Sequence, residues 1–184
     1  SLLEAVRMSL DMAPGLQRAF GFERLRGFDA RAWQALHARA QARCRPVSRL
    51  PIWGSDISGT ALSQARANLA AAGLEEVVHL KQVNVLEASP PAPAGIMIAN
   101  PPYGVRLGSE EELAAFYPRL GDVLKQRFAG WTCHLFTADA RLPKLIRLNP
   151  SRRIPLFNGA LECRLYEIRV IAGSMRRTKD APAA

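Results

Sequence analysis

The sequence predicts an α/β fold with a mostly parallel, doubly wound sheet and an antiparallel hairpin near the C-terminal end. Between residues 50 and 147, short apolar strand patterns alternate with amphipathic helix patterns, which is typical of βαβ units. After them, two strand patterns are joined by Asn158-Gly159, a strong hairpin signal. The length of 184 residues, with 48% hydrophobic and 22% charged side chains, suits a globular domain.

The N-terminal part is predicted to be helical and strongly basic. Residues 1–12 form an amphipathic helix pattern that the Pro14-Gly15 pair ends. A second helix is predicted over about 29–43, packed by the face that carries Trp33 and Leu36. A solvated helix face explains the charge of residues 16–50 as well as a nucleic-acid surface does. The eight arginines of this part are Arg18, Arg24, Arg26, Arg31, Arg39, Arg43, Arg45 and Arg49.

The clearest βαβ pattern follows. A short strand over residues 50–57 ends in Asp56, and Ser58 is placed to cap the next helix. Gly73 stands where a left-handed residue commonly closes a helix. A second strand is predicted over 77–85, and a third over 96–99.

The C-terminal half is predicted to add three more strands. A helix over 110–128 contains Pro118, which must kink it or start a second helical segment. A strand over 131–138, a short helix near 140–147 and strands over 154–157 and 161–171 come next. We expect one catalytic domain over 1–172 and a basic, disordered tail over 173–184.

Composition narrows the function classes. The chain has 25 basic and 16 acidic side chains, a net charge of +9, which favours a polyanionic partner such as nucleic acid. Apolar runs of only a few residues exclude a membrane span of about 20, so we expect no membrane partner. The three cysteines include no CxxC pair, and we therefore expect no metal site and buried, reduced thiols in a cytoplasmic protein.

The segment that predicts chemistry is Asn100-Pro101-Pro102-Tyr103, which directly follows the third strand. In open α/β sheets, ligands bind beyond the carboxyl ends of the strands. Two prolines make this loop stiff and remove two N–H donors. Asn100 adds a carbonyl acceptor and Tyr103 a flat aromatic face. The loop is therefore suited to hold a planar group that bears an NH₂, such as a nucleobase amine, for attack on an electrophilic methyl group.

This motif resembles the signature of S-adenosylmethionine-dependent amino-methyltransferases of the Rossmann type. Together with SLLEAVRMSLDMAPGL, GSDIS, NPPYGVRLGSEEEL and NGALECRLY, it resembles the bacterial 23S ribosomal RNA guanine-N2-methyltransferases, across residues 1 to about 171. The resemblance implies a class I methyltransferase fold, S-adenosylmethionine as cofactor and ribosomal RNA as substrate. It also implies an RNA-binding THUMP domain upstream in the full-length protein.

The resemblance also implies roles for particular residues. Asp56 would hold the cofactor ribose, and Asn84, where the family usually has aspartate, would accept from the adenine amine. Asn100 with Pro101 would accept the target amine, and Tyr103 would stack on the base. The full cofactor set is Asp56, Ile57, Asn84, Val85 and Asn100, and the catalytic set is Asn100, Pro101, Pro102 and Tyr103.

Six basic residues are the candidate RNA contacts. Arg106 follows the catalytic loop, and the other five lie between residues 141 and 153 with no acid among them. A solubilising surface explains this second group equally well. Its members are Arg141, Lys144, Arg147, Arg152 and Arg153.

The family's glycine-rich cofactor loop precedes the SLLEA segment, so the first strand is expected to be missing from this chain. We therefore expect the strands that end at Asp56 and Ala99 to be unpaired with each other and a strand-wide gap, roughly 9–10 Å, apart. The isolated chain is expected to bind S-adenosylmethionine weakly or not at all. Alternative interpretations are an amino-methyltransferase that acts on tRNA or DNA, or a non-catalytic RNA-binding remnant.

Overall fold

The structure is a computed structural model that describes residues 2–102 and 110–172. Its elements within these ranges are α1 (Leu2–Ser9), a 3₁₀ turn (Gly21–Arg24), α2 (Ala30–Ala42), β1 (Trp53–Asp56), α3 (Gly59–Ala70), a 3₁₀ turn (Glu75–Val77), β2 (His79–Gln82), β3 (Gly95–Ala99), α4 (Glu110–Arg127), β4 (Trp131–Thr137), α5 (Leu142–Ile146), β5 (Arg152–Asn158) and β6 (Leu161–Arg169). The chain divides into two compact units, Ser1–Asn84 and Val85–Ala184.

The first unit contains a parallel pair of strands, β1 and β2, in which Asp56 stands opposite Gln82. Ser58 caps α3 as predicted, since its hydroxyl accepts the Ala61 N–H at 3.3 Å, and Gly73 adopts a φ of +67° just after the helix. The second strand is shorter than predicted because Val77 lies in a 3₁₀ turn, where its side chain is buried. The core of this unit contains Val6, Leu10, Leu69, Leu74, Val77 and Val78.

The N-terminal helices differ from expectation in two ways. α1 ends at Ser9, earlier than the Pro14-Gly15 pair, because Asp11 takes a left-handed φ of 52°. α2 forms with Asp29 as its cap, but it buries no residue and Leu36 is 51% exposed. The expected packing through Leu36 is therefore wrong. Trp33 instead contacts the rings of Phe20 and Phe22, which come from the preceding turn.

The second unit contains a four-stranded sheet in the order β3-β4-β6-β5. β3 and β4 are parallel, and β6 is antiparallel to both of its neighbours. The predicted hairpin is present: Asn158 pairs with Leu161, and Gly159 has a φ of +61°. This mixed sheet is the fold class that the sequence predicts.

Helices α4 and α5 pack on one face of that sheet. α4 is one continuous helix with Pro118 inside it, so the proline does not start a second segment. Gly121 lies against the backbone of Ile146, which brings the two helices close together. The buried residues of this core are Leu113, Tyr117, Leu120, Val123, Leu124, Phe128, Trp131, Cys133, Leu135, Leu142, Ile146, Tyr166, Ile168 and Val170.

Within the described residues, β1 belongs to the two-stranded sheet and β3 to the four-stranded sheet. The width of the expected gap between them stays a prediction. The tail over 173–184 lies outside the described residues. Within the described ranges, no helix is both long enough and apolar enough to span a membrane.

Candidate active site

The loop after β3 presents the motif that carries the predicted chemistry. Asn100 directly follows the strand and is exposed, Pro101 is buried and Pro102 is half-buried. The buried proline ring fixes the loop to the protein while Asn100 faces outward. Tyr103 and Arg106, which the sequence assigns to base stacking and RNA contact, lie outside the described residues.

A buried tyrosine of α4 holds this loop. The Tyr117 hydroxyl donates to the Pro102 carbonyl oxygen at 2.8 Å, and its side chain is completely buried. Burial raises the pKa of the Tyr117 phenol, so the group stays protonated and acts as a donor. The Thr137 side chain, at the end of β4, acts in the opposite direction and lowers the pKa of the same phenol, but the effect of burial is larger. The sequence pattern does not distinguish Tyr117 from other core residues, because its position in an amphipathic helix is that of any buried aromatic side chain.

The loop leaves two carbonyl acceptors for a ligand. Within residues 2–102 and 110–172, neither the Asn100 side chain nor the Pro101 carbonyl has a hydrogen-bond partner. The Pro102 carbonyl, in contrast, is occupied by Tyr117. A primary amine has two N–H donors, so the two carbonyl acceptors equal the number of hydrogen bonds that such an amine can donate.

The cofactor candidates of the first unit lie at the carboxyl edge of the β1–β2 pair. The Asp56 carboxylate is exposed, and its Oδ1 accepts the Ser58 N–H at 2.8 Å. The Val83 N–H donates to the Asp56 carbonyl at 3.0 Å, which places Asn84 beside the end of β1. Gln82 donates to the Ile57 carbonyl at 2.9 Å and holds that turn.

These residues fit the adenosine part of a nucleotide-like cofactor. An exposed carboxylate, oriented by a backbone N–H, can accept both hydroxyls of a ribose. Ile57 is 66% exposed and offers an apolar surface, and the Asn84 amide carries an acceptor for an adenine amine. Val85 belongs to the second unit, where its half-buried side chain packs against the core.

The five basic residues that follow β4 and are candidate RNA contacts have different surroundings in the structure. Arg141 is paired with Asp139 at 3.0 Å, Arg147 is an exposed residue with a φ of 57° after α5, and Arg152 stands opposite Glu167 across the β5–β6 pair. Lys144 and Arg153 line a cleft of about 640 Å³ together with Arg164. The sequence does not predict Arg164 as an RNA contact, because this residue follows Glu162 in a strand pattern and is not part of a run of basic residues.

Cys133 and Cys163 are buried, as the sequence predicts. Both are free thiols, and Cys44 is half-buried. Burial raises the pKa of Cys133 to about 11, so this thiol is inert at neutral pH. In the described ranges, no group of three potential metal ligands comes together.

Several known proteins are similar to this chain in sequence. The Synechocystis protein slr0064, described as an RNA methyltransferase, is 42% identical over 170 residues, which cover 91% of this chain and 44% of that protein. A Ribosomal RNA large subunit methyltransferase K/L from Shewanella is 42% identical over 98% of this chain and 26% of its own length. The chain thus spans between about a quarter and just under half of these relatives.

Two solved structures of described methyltransferases have a similar fold. The crystal structure of SMU.472, described as a methyltransferase and solved in complex with SAH, superimposes with a TM-score of 0.86 at 27% identity, over 94% of this chain and 46% of that one. A protein from Clostridium difficile 630, described as a possible methylase, gives a TM-score of 0.85 at 26% identity, over 95% of this chain and 46% of its own. The fold is therefore that of the S-adenosylmethionine-dependent methyltransferases.

A family model also matches almost the whole chain. It is the UPF0020 model, described as RMKL-like, methyltransferase domain, and it covers residues 1–167. This match includes both strand edges described above and the loop that begins at Asn100. The chain belongs to the family of RMKL-like methyltransferase domains.

Proposed function

We propose that the protein transfers a methyl group from S-adenosylmethionine to the exocyclic N2 amine of a guanine in 23S ribosomal RNA. The observation that carries the proposal is the loop after β3, where Asn100 is exposed and Pro102 is held by Tyr117. Relatives named ribosomal RNA large subunit methyltransferase K/L support RNA as the substrate class. The net charge of +9 is suited to the same substrate.

The target amine would be held by the side-chain carbonyl of Asn100 and the backbone carbonyl of Pro101. A guanine amine is a poor nucleophile because its lone pair is delocalised into the ring. Two acceptors aimed at its hydrogens favour a tetrahedral nitrogen and localise that lone pair. Because the loop is anchored by a buried proline and a buried tyrosine, the acceptors are oriented before the substrate binds, which reduces the reorganisation needed in the transition state.

The cofactor would be held at the carboxyl edge of β1 and β2 by Asp56, Ile57 and Asn84, with Val85 and Asn100 as further contacts. S-adenosylmethionine supplies an electrophilic methyl group, which leaves its sulfur as the N2–carbon bond forms, while one N2 proton passes to solvent. The Asp56 carboxylate accepts from the ribose hydroxyls and so fixes the cofactor. Supporting observations are its Ser58 N–H contact and the complex of SMU.472 with SAH.

The RNA would be held by basic residues that the sequence assigns to it, namely Arg106, Arg141, Lys144, Arg147, Arg152 and Arg153. Tyr103 would stack on the target base, a contact worth about 1–3 kcal/mol per base. A THUMP domain encoded upstream would add RNA affinity, and the reaction would take place in the cytoplasm.

A labelled-methyl assay tests the proposal. The protein as encoded is incubated with S-adenosylmethionine that carries a tritiated methyl group, and with 23S rRNA from cells that lack the enzyme. Matched reactions contain tRNA and genomic DNA from the same cells. We expect label in 23S rRNA and N2-methylguanosine after digestion to nucleosides. Label confined to tRNA or DNA would support the alternative amino-methyltransferases.

Binding separates the remaining alternative, a non-catalytic RNA-binding remnant. Calorimetric titration with S-adenosylhomocysteine measures cofactor binding without any RNA. If the protein as encoded binds RNA but neither S-adenosylhomocysteine nor S-adenosylmethionine, the enzymatic proposal is wrong. The same titration on residues 1–184 alone tests the expectation that this chain binds the cofactor weakly.

A further inference from the structure

A basic cleft lies on the helix side of the four-stranded sheet, between α5 and the β5–β6 hairpin. Its volume is about 640 Å³, and its lining contains three cationic side chains, those of Lys144, Arg153 and Arg164, but no carboxylate. Asn149, whose amide can donate hydrogen bonds, and Tyr166 also line the cleft.

Strand register explains why these side chains meet. In the β5–β6 pair, Arg153 stands opposite Tyr166 and Pro155 opposite Arg164, so Arg153 and Arg164 share the sheet face of Tyr166. Arg152, the neighbour of Arg153, stands opposite Glu167 on the other face. Because successive side chains of β5 point to opposite faces of the sheet, Arg153 lines the cleft and its neighbour Arg152 does not.

The positive charge of the cleft is only partly compensated. Arg164 makes an ion pair with Glu162 at 2.8 Å, whereas Lys144 and Arg153 have no ion pair within the described part of the chain. Other basic residues nearby are paired: Arg141 with Asp139, and Arg169 with Glu167. Uncompensated cations around a concavity favour an anionic ligand, and guanidinium groups match the geometry of phosphate oxygens.

The cleft lies at the same edge of the sheet as the catalytic loop. Ala99, just before Asn100, pairs with Leu135 of β4, and Thr137 of β4 pairs with Arg164 of β6. The ends of β3 and the cleft strand β6 are thus two strand spacings apart, about 10 Å. A stacked nucleic-acid strand advances about 3.4 Å per nucleotide, so this distance corresponds to roughly three nucleotides.

We propose that Lys144, Arg153 and Arg164 form a binding site for a backbone phosphate of the RNA substrate, within about three nucleotides of the base that enters the Asn100 loop. This inference rests on the proposed function and adds to it a defined phosphate site and a residue, Arg164, outside the basic run. Contact with one phosphate positions the strand and leaves base choice to other contacts.

Substitution of Arg153 by glutamate, with Arg119→Glu as the matched control, tests the site. Arg119 is an exposed residue of α4 that does not line the cleft, and both variants change the net charge equally. The probe is a fluorescein-labelled, single-stranded RNA 12-mer with one central guanine, and anisotropy gives its Kd between 50 and 300 mM KCl. We expect Arg153→Glu to raise Kd about tenfold and to reduce the salt slope by about one.

Conservative variants keep the test informative if Arg153→Glu folds poorly. Arg153→Lys and Arg164→Lys retain the charge and should keep Kd within about threefold of the wild-type value, while Arg164→Ala should raise it. In the methyl-transfer assay, Arg153→Ala should raise KM for RNA with kcat nearly unchanged. Circular dichroism melting checks that each variant is folded.

The outcomes distinguish this site from the proposed function. Equal Kd values and salt slopes for Arg153→Glu, Arg164→Ala and Arg119→Glu would overturn the phosphate site, even if the wild-type protein methylates RNA. Loss of affinity in the two cleft variants alone would support the site, even if the wild-type protein transfers no methyl group and the proposed reaction is wrong.

Discussion

The two compact units present their functional side chains in different ways. In residues 1–84, Asp56 stands at the edge of a two-stranded pair, above a core of six buried residues. In the second unit, the Asn100 loop rests on a four-stranded sheet and a core of fourteen buried residues among those described. Asp56 is oriented by a local backbone contact, whereas the Asn100 loop is held by a side chain from the core.

This difference fits the division of tasks in the proposed reaction, in which the first unit would bind the cofactor and the second would orient the target amine. A charged group that binds a cofactor tolerates some freedom, because the attraction of a carboxylate for hydroxyl donors varies gradually with position. Acceptors that act on a reacting amine must be placed much more accurately, since misplacement by 1 Å can cost about 10²-fold in rate. We therefore expect substitutions in the second unit to affect kcat and substitutions in the first unit to affect cofactor affinity.

The largest expected effect is that of Asn100→Ala. Loss of one preorganised polar group in a transition state costs about 10²–10³ in rate, and Asn100 has no other role visible in the packing, since it is exposed. Single-turnover kinetics with 23S rRNA should therefore show a decrease of that size in the rate constant of methyl transfer, and thermal melting should show an unchanged Tm. More than half of the wild-type activity would contradict the catalytic assignment.

Substitution of Asp56 tests the cofactor role proposed for the first unit. Asp56→Ala should raise the Kd for S-adenosylhomocysteine by about 10- to 100-fold, because a hydrogen bond to a charged group contributes about 1.5–3 kcal/mol. Asp56→Asn is the matched variant, since its carbonyl can still accept the Ser58 N–H, and it should lose less. Calorimetric titration, with the protein concentration kept within a range that gives a curved isotherm, provides both values. If kcat falls in Asp56→Asn while Kd is unchanged, the cofactor role is wrong.

The rigidity of the second unit can be tested at Gly121. A Cβ at this position would meet the backbone carbonyl of Ile146, which cannot rotate away. Overpacking of this kind costs about 1–3 kcal/mol, more than the helix propensity that alanine adds. Gly121→Ala should therefore lower Tm by several degrees, at about 2–4 °C per kcal/mol.

Gly54→Ala in β1 is the matched control for the first unit. There the new Cβ would meet the ends of the Leu2 and Leu80 side chains, and flexible side chains can move aside. Thermal melting followed by circular dichroism should show a smaller decrease in Tm than for Gly121→Ala. The opposite order would remove the contrast in rigidity between the two units.

The smallest expected effect comes from Tyr117→Phe. The phenyl ring fills the same volume, but the hydrogen bond to the Pro102 carbonyl is lost, at a cost of about 1 kcal/mol in stability. We expect kcat to fall about tenfold, because the Asn100 loop is less well oriented, with no change in the Kd for S-adenosylhomocysteine. A Kd change that equals the kcat change would indicate a general loss of structure.

Much of the fold could be predicted from local sequence signals. The cap at Ser58, the left-handed Gly73 and the turn at Gly159 each depend on a few neighbouring residues, and the strands before Asp56 and Asn100 follow short apolar runs. The sequence predictions are wrong where contacts between distant segments determine which side chains are buried. Leu36 is exposed because α2 packs only through Trp33 and the aromatic residues of the preceding turn, a partner that helical periodicity does not indicate.

The sequence by itself predicted the polar residues of the candidate site, because Asp56, Asn84 and Asn100 stand at or just beyond strand ends and their side-chain types define what they can accept. Only the tertiary structure decided which residues support them. Tyr117 reaches Pro102 from a different element, and Arg153 meets Arg164 through the pairing of β5 with β6. Such contacts depend on register and packing between segments far apart in the chain, and no local pattern encodes them.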